Sequence, residues 1–453
     1  MERYEEQALK QRFPKNLSSD KAYLYEAIMR SMRDYRSSKS RFAQMKEMIM
    51  DSKYLYERGL YDQCEERLSE AKRLAIELGD QLAKLEILKE ERRVIRDRRK
   101  TGHKDRLEVL NKESEKSIQS VEEEFQFLGI YDQLSMAVIS HPNLTEKDQQ
   151  QYIRSEFASL IETVDTTPDN IHARRRFYQS AALYYQLLGD LNQVFSYYSK
   201  VVDWWDENPK YKSEEYYRYV VDVSNLLFIC LQTKKYDNFP ELLYRIEKEP
   251  PSNAHDQKVA FQKLSIYKLV YFMNSGKSEG VHELVDEIEK GLAQFSINPV
   301  SQLILSGNAA ILLFIIEDYA SCVKWCQKVI KNKRMQSRYD IQKGIYLLHM
   351  IALLELEQFE ALESALRTTK RFLRSNSTTK VTNFESIVYS YTKKLHTNPL
   401  SQTRTLLVDF KSRIETIKAD QNEKVSFGLD DLLIHWIISK LEQKTILEQI
   451  GKN

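Results

Sequence analysis

Residues 59–75 read GLYDQCEERLSEAKRLA, and the phrase returns as GDLNQVFSYYSKVV at 189–202 and KKYDNFPELLYRIEKEPP at 234–251. Two further copies are EDYASCVKWCQKVI at 317–330 and EQFEALESALRTTKRFL at 357–373. The register residue of each copy is Tyr61, Leu191, Tyr236, Tyr319 or Phe359, with Ser278 as a degenerate sixth member. From Leu191 onward these stand 45, 42, 41 and 40 residues apart. Three residues beyond each stands Cys64, Val194, Phe239, Val281, Cys322 or Leu362, and four further Leu68, Tyr198, Leu243, Val285, Cys326 or Leu366. Another three bring Ala71, Val201, Ile246, Ile288, Val329 or Thr369. Offsets of three and four put each set on one stripe of a helix. A single unit cannot cover such a stripe, so stacked repeats that bury it against their neighbours are predicted.

Composition agrees with helix throughout. Twelve glycines and nine prolines in 453 residues are less than half the usual share of breakers. No alternating β-branched run closes on a two-residue glycine turn, so no strand is predicted. Four cysteines (Cys64, Cys230, Cys322 and Cys326) in so long a chain indicate a reducing compartment and no disulfide framework. The N-terminus, MERYEEQALKQRFPKNLSSD, has no apolar core of the kind a secretory signal needs. The longest apolar stretch, 303–316, is too short to span a membrane. A soluble protein of the cytoplasm is expected.

In its register aromatic, its small and aromatic second-helix positions and the closing Pro251, the chain resembles the tetratricopeptide-repeat family over residues 45–76 and about 175–374. The period is long, and the first-helix Trp and Leu-Gly positions of that family are mostly replaced. The resemblance implies an all-α fold: a right-handed α-solenoid of stacked antiparallel helical hairpins. Four segments are expected: an N-terminal helical bundle with one hairpin (1–80), charged bridging helices (81–128), the solenoid (129–420) and a closing helix (421–453). Within the second segment the helices are placed at about 82–99 and 105–128, broken at Thr101-Gly102. LLIHWII at 432–438 belongs to the closing helix.

Punctuation locates further helices. Thr167-Pro168 reads as a cap with proline opening a helix over 169–188 that stops at Gly189. Thr145 with Asp148 opens another, and Ser213 before Glu214-Glu215 a third. The tyrosine pairs Tyr184-Tyr185, Tyr197-Tyr198 and Tyr216-Tyr217 should each send one ring inward and one outward.

Catalytic chemistry finds no support. Gly276-Lys277-Ser278 resembles the tail of a phosphate loop but lacks its first glycine and its preceding strand, so an interhelical turn is expected. Cys322 and Cys326 could seat a metal by spacing, yet they occupy apolar repeat positions, which predicts core. His282 and Asp286 lack a third ligand and read as a solvated helix face. No cofactor, metal or enzymatic activity is expected. Two basic clusters stand out: residues 89–106 and Arg174-Arg175-Arg176. The first carries nine basic residues, four acids and no aromatic, so a solvated helix face is favoured, then an acidic protein partner, then nucleic acid.

The expectation is therefore a non-catalytic scaffold that binds a peptide segment or partner protein on the concave face. In the resembling family that face is lined by the first helices. Their apolar residues here are Phe228 and Leu231, Val270 and Met273, Ile311 and Phe314, Ile351 and Leu354. Such a face suits an amphipathic helix, either a partner's or the protein's own. Asn225, Tyr267 and Asn308, at equivalent first-helix places, are the expected polar anchors, with Arg175 and Arg176 as further partner contacts. The alternative is a peptide-responsive sensor or regulator whose effector is the N-terminal bundle.

Overall fold

A computed structural model describes residues 17–37, 40–98, 102–140, 147–162, 167–251, 253–331, 338–375, 382–419 and 428–450. The described residues are helical, with no strand among them. None of their helices is long and apolar enough to cross a membrane. The chain divides into two compact units, Met1–Asp222 and Val223–Asn453.

In the first unit, α1 is Leu17–Ser37, α2 Arg41–Glu57, α3 Tyr61–Leu78, α4 Gln81–Arg98, α5 His103–Ser140 and α6 Lys147–Ile161. Then come α7 (Ile171–Leu187), α8 (Leu191–Glu207) and the short α9 (Pro209–Glu214), with α10 (Tyr216–Gln232) crossing the division. Helices that follow one another pack together: α2 on α3, α3 on α4, α4 on α5 and α7 on α8. Met45, Ile49, Leu68, Ala71, Leu78, Ala83 and Ile87 form one core. Phe127, Ile130 and Leu134 of α5 form a second with Phe177, Tyr184 and Leu187 of α7.

The expected helix over 105–128 is longer than its charged texture suggested. It runs to Ser140, about 57 Å in all at 1.5 Å per residue. Gly129 lies inside it without breaking it, because the stripe Phe127, Ile130, Leu134 is covered by α7 and packing outweighs one glycine's propensity cost of about 1 kcal/mol. Two caps also differ. The helix at 171 is capped by Asn170, whose side chain accepts from the His172 and Ala173 N–H groups, with Thr167-Pro168 standing just outside. Ser213 lies inside α9, its hydroxyl donating to the Lys210 carbonyl. Glu214 caps a distant helix instead: its carboxylate accepts from the Ser40 hydroxyl and the Arg41 N–H, both at 2.7 Å, at the start of α2. Thr145 lies outside the described residues.

In the second unit a 3-10 turn at Tyr236–Asn238 leads into α11 (Phe239–Glu247), followed by α12 (Ala254–Ser275), α13 (Val281–Gln294), α14 (Pro299–Ile315) and α15 (Tyr319–Lys331). After these come α16 (Tyr339–Glu355), α17 (Phe359–Ser375), α18 (Asn383–Thr397), α19 (Thr403–Ala419), α20 (Leu429–Glu442) and α21 (Ile446–Ile450). Again neighbours in sequence pack, and α12, α14 and α16 also pack on one another. One apolar core extends from Phe261 to Ile446. Gly291 on α13 makes room for the Phe261 ring, whose Cε2 would stand 2.0 Å from an added Cβ.

All eighteen stripe positions of the six sequence copies are buried, from Cys64 (1% exposed) to Thr369 (1%). Five of the turns before them share one closure. Gly59, Gly189, Lys234, Glu317 and Glu357 are left-handed (φ +53° to +79°). Each donates its N–H to the carbonyl three residues back, and the next N–H reaches the carbonyl five back. This satisfies the last carbonyls of the preceding helix. Only the two glycines adopt that conformation freely; the other three carry a steric cost of about 1 kcal/mol each. The tyrosine pairs behave as expected. Tyr184, Tyr198 and Tyr216 are buried, while Tyr185, Tyr197 and Tyr217 are half-exposed.

Candidate functional site

Arg175 does not face a partner. It is 5% exposed, and its Nε and Nη2 donate to Asp222 Oδ2 at 3.1 and 3.0 Å. The same carboxylate accepts from Trp205 Nε1 at 2.8 Å and, through Oδ1, from Gln179 Nε2 at 2.7 Å. The guanidinium lies 4.3 Å from the Trp205 ring centroid. Arg176 is half-buried, donates to Gln179 Oε1 at 2.9 Å and covers the Tyr131 ring at 4.8 Å. The arginine triplet is thus interior architecture, because α7 is enclosed on most sides and an arginine there needs an internal counter-charge.

Asn225, Tyr267 and Asn308 are placed alike, each nine positions before the left-handed residue that closes its helix (Lys234, Gly276, Glu317). All three are half-exposed, and none makes a hydrogen bond to another described residue. Burial pushes the Tyr267 phenol up to about 12, so it stays a neutral donor at neutral pH. The apolar residues beside them divide into two groups. Phe228 is 43% exposed and Leu231, Val270 and Met273 are half-buried. Ile311, Phe314 and Ile351, by contrast, are consumed by the unit's own core. The closing helices are tied to this end of the array: Trp436 Nε1 donates to Glu355 Oε1 at 2.9 Å, Lys440 pairs with the same carboxylate, and the Ile446 N–H donates to Glu317 Oε1 at 2.9 Å. The open part of the expected surface is therefore that of α10 and α12.

The remaining sequence features resolve simply. Cys322 and Cys326 are fully buried with their sulfurs 4.0 Å apart, and burial pushes the Cys322 thiol up. Gly276 closes α12 as a left-handed cap, so Gly276-Lys277-Ser278 is a turn between helices. His282 is largely exposed. No group of three or more potential metal ligands occurs among the described residues. The basic stretch 89–106 is largely spent inside its own unit. Arg98 reaches Asp62 and Glu65, Arg106 reaches Glu65, Arg92 bonds Asn111 and Ser114, and Arg93 lies 4.1 Å above the Tyr56 ring. A basic face that sequence reading passed over lies on α17, where Arg367, Lys370, Arg371 and Arg374 are exposed around an open hollow. The signal was present as an i, i+3, i+4, i+7 spacing.

Three histidines predict an acid-labile fold. Burial draws His349 down to about 4 and lowers His172 and His435 as well. An unfolded imidazole titrates near 6.5, so below that pH the unfolded chain binds protons that the folded one refuses. Stability is then full above pH ~6.5 and lost as pH falls toward 4, by about 3 kcal/mol for His349. Urea midpoints at pH 7 and pH 4.5 should show this, and His349→Gln should flatten the slope. An equal slope in the variant would assign the effect to other groups.

No protein-family model matches this chain, and no curated protein and no solved structure matches it.

Proposed function

We propose that this chain is a non-catalytic, tetratricopeptide-like scaffold of the cytoplasm, its helices stacked as antiparallel hairpins in a right-handed solenoid. It holds an amphipathic helix of a partner protein on the first-helix surface of α10 and α12. The observation that carries this reading is the set Asn225, Tyr267 and Asn308. Three polar side chains stand at one repeat position, each half-exposed and without an internal partner. Beside two of them Phe228, Leu231, Val270 and Met273 offer apolar area, worth about 25 cal/mol per Å² on burial. Helix-in-groove binding needs both ingredients: apolar anchors for affinity and amides that fix orientation.

The test is affinity purification of the full chain from its native cell, compared with Phe228→Asp and with Asn225→Ala combined with Asn308→Ala. The unsubstituted chain should recover a defined protein, and each variant should lose at least tenfold of it. Melting should change little, since surface changes usually cost under about 0.5 kcal/mol. Equal recovery by both variants overturns the assignment of this surface. Recovery of a short peptide in place of a protein supports the peptide-responsive sensor, with the compact helices over residues 41–98 as its effector.

A further inference from the structure

Between α15, α16 and α17 lies a cleft of about 280 Å3, at the small end of ligand-sized cavities. Part of its lining is apolar, from Ile330, Leu353 and Ala365. Two polar atoms on it lack partners. Thr369 is 1% exposed and its hydroxyl makes no hydrogen bond, and His349 Nε2 is likewise buried and unpaired. Native structures rarely leave such groups orphaned without a functional reason.

The repeat pattern sharpens the point. At the position of Thr369 the other copies carry Ala71, Val201, Ile246, Ile288 and Val329, so packing there does not call for a hydroxyl. His349 stands eight positions before its left-handed turn residue, where the other repeats carry Ala181, Leu226, Lys268 and Ala309. Both departures from the repeat meet in one cleft.

No charged side chain lines it, and burial keeps the imidazole neutral. A charged ligand would lose its water there and gain no counter-ion. What the lining does offer is groups that donate and accept: the hydroxyl, the imidazole and the amides of Gln327 and Gln358. Side-chain amides pair two-fold with edges that alternate donor and acceptor, as they do with adenine. We propose that this cleft binds a small uncharged nitrogen heterocycle or carboxamide, its polar edge on His349 Nε2 and the Thr369 hydroxyl and its flat face on the apolar wall. This goes beyond the protein-binding reading and does not depend on it.

Saturation-transfer NMR on the full chain, with nicotinamide, adenine and benzoate as probes, tests the proposal. Transfer is expected to at least one of the two neutral probes and not to benzoate. Thr369→Val should weaken binding about tenfold while the melting temperature of the free protein stays level or rises, since the change removes an unpaired hydroxyl from an apolar setting. Ala361→Trp, at an exposed position on the rim, should abolish transfer by filling the mouth without touching the core. No transfer to either neutral probe, equal transfer to benzoate, or transfer unchanged in both variants would each overturn the assignment.

Discussion

Asp222→Ala is expected to destabilise the first unit by about 3–5 kcal/mol, a large part of the stability of an ordinary domain. Asp222 is 2% exposed and serves three side chains: Arg175, Gln179 and Trp205. Alanine leaves the Arg175 guanidinium buried with only the Trp205 and Trp204 rings beside it, at 4.3 and 5.5 Å. A cation over an aromatic face is worth up to about 2 kcal/mol when desolvated, too little to replace a counter-ion. Two further donors lose their acceptor at the same time. Asp222→Asn, which keeps an acceptor oxygen but not the charge, should fall between alanine and the parent. Urea unfolding followed by tryptophan fluorescence reads the cost directly, because Trp204 and Trp205 are part of the cluster. An alanine variant with an unchanged midpoint would show that the carboxylate is not the counter-charge of Arg175.

That cluster also shows what the sequence could not disclose. Arg175 and Asp222 lie 47 residues apart, and no spacing rule links them. Read locally, Arg174-Arg175-Arg176 is a charge run, and charge runs usually face solvent. The enclosure of α7 decides otherwise, and its signs were the small and apolar residues Ala181, Ala182 and Leu183 on faces that an exposed helix would leave polar. The repeat stripe was legible because it is a local property: offsets of three and four place Cys64, Leu68 and Ala71 on one line whatever surrounds them. The turns were half-legible. Gly59 and Gly189 announce a left-handed closure, whereas Lys234, Glu317 and Glu357 adopt the same closure against their own preference. For α5 the charged N-terminal half masked an apolar C-terminal half. Which first-helix residues remain open depends on where α20 and α21 come to rest, a long-range outcome set by Glu355, Trp436, Glu317 and Ile446.

In the second unit, Lys343→Met alone should cost about 3–5 kcal/mol, while Lys343→Met combined with Glu385→Gln should lie within about 1 kcal/mol of the parent. Lys343 Nζ stands 3.1 Å from Glu385 Oε1, and the side chains are 5% and 1% exposed. Pairing at that depth repays desolvation only while both charges are present, so removing the lysine leaves a buried carboxylate without its cation. Glu385 has a second duty. It closes a capping box at the start of α18, where its carboxylate accepts from the Thr382 N–H and its own N–H donates to the Thr382 hydroxyl. Glutamine keeps that box while shedding the charge, which makes it a better partner than alanine for the double variant. The two duties then separate in a double-mutant cycle monitored by urea unfolding. A coupling of several kcal/mol, with stability regained in the double variant, assigns the cost to an uncompensated charge. If the double variant is instead as unstable as the sum of its parts, the two side chains act independently. In that case the join between α16 and α18 rests on apolar packing around Phe384 and Val388, both fully buried, and not on the ion pair.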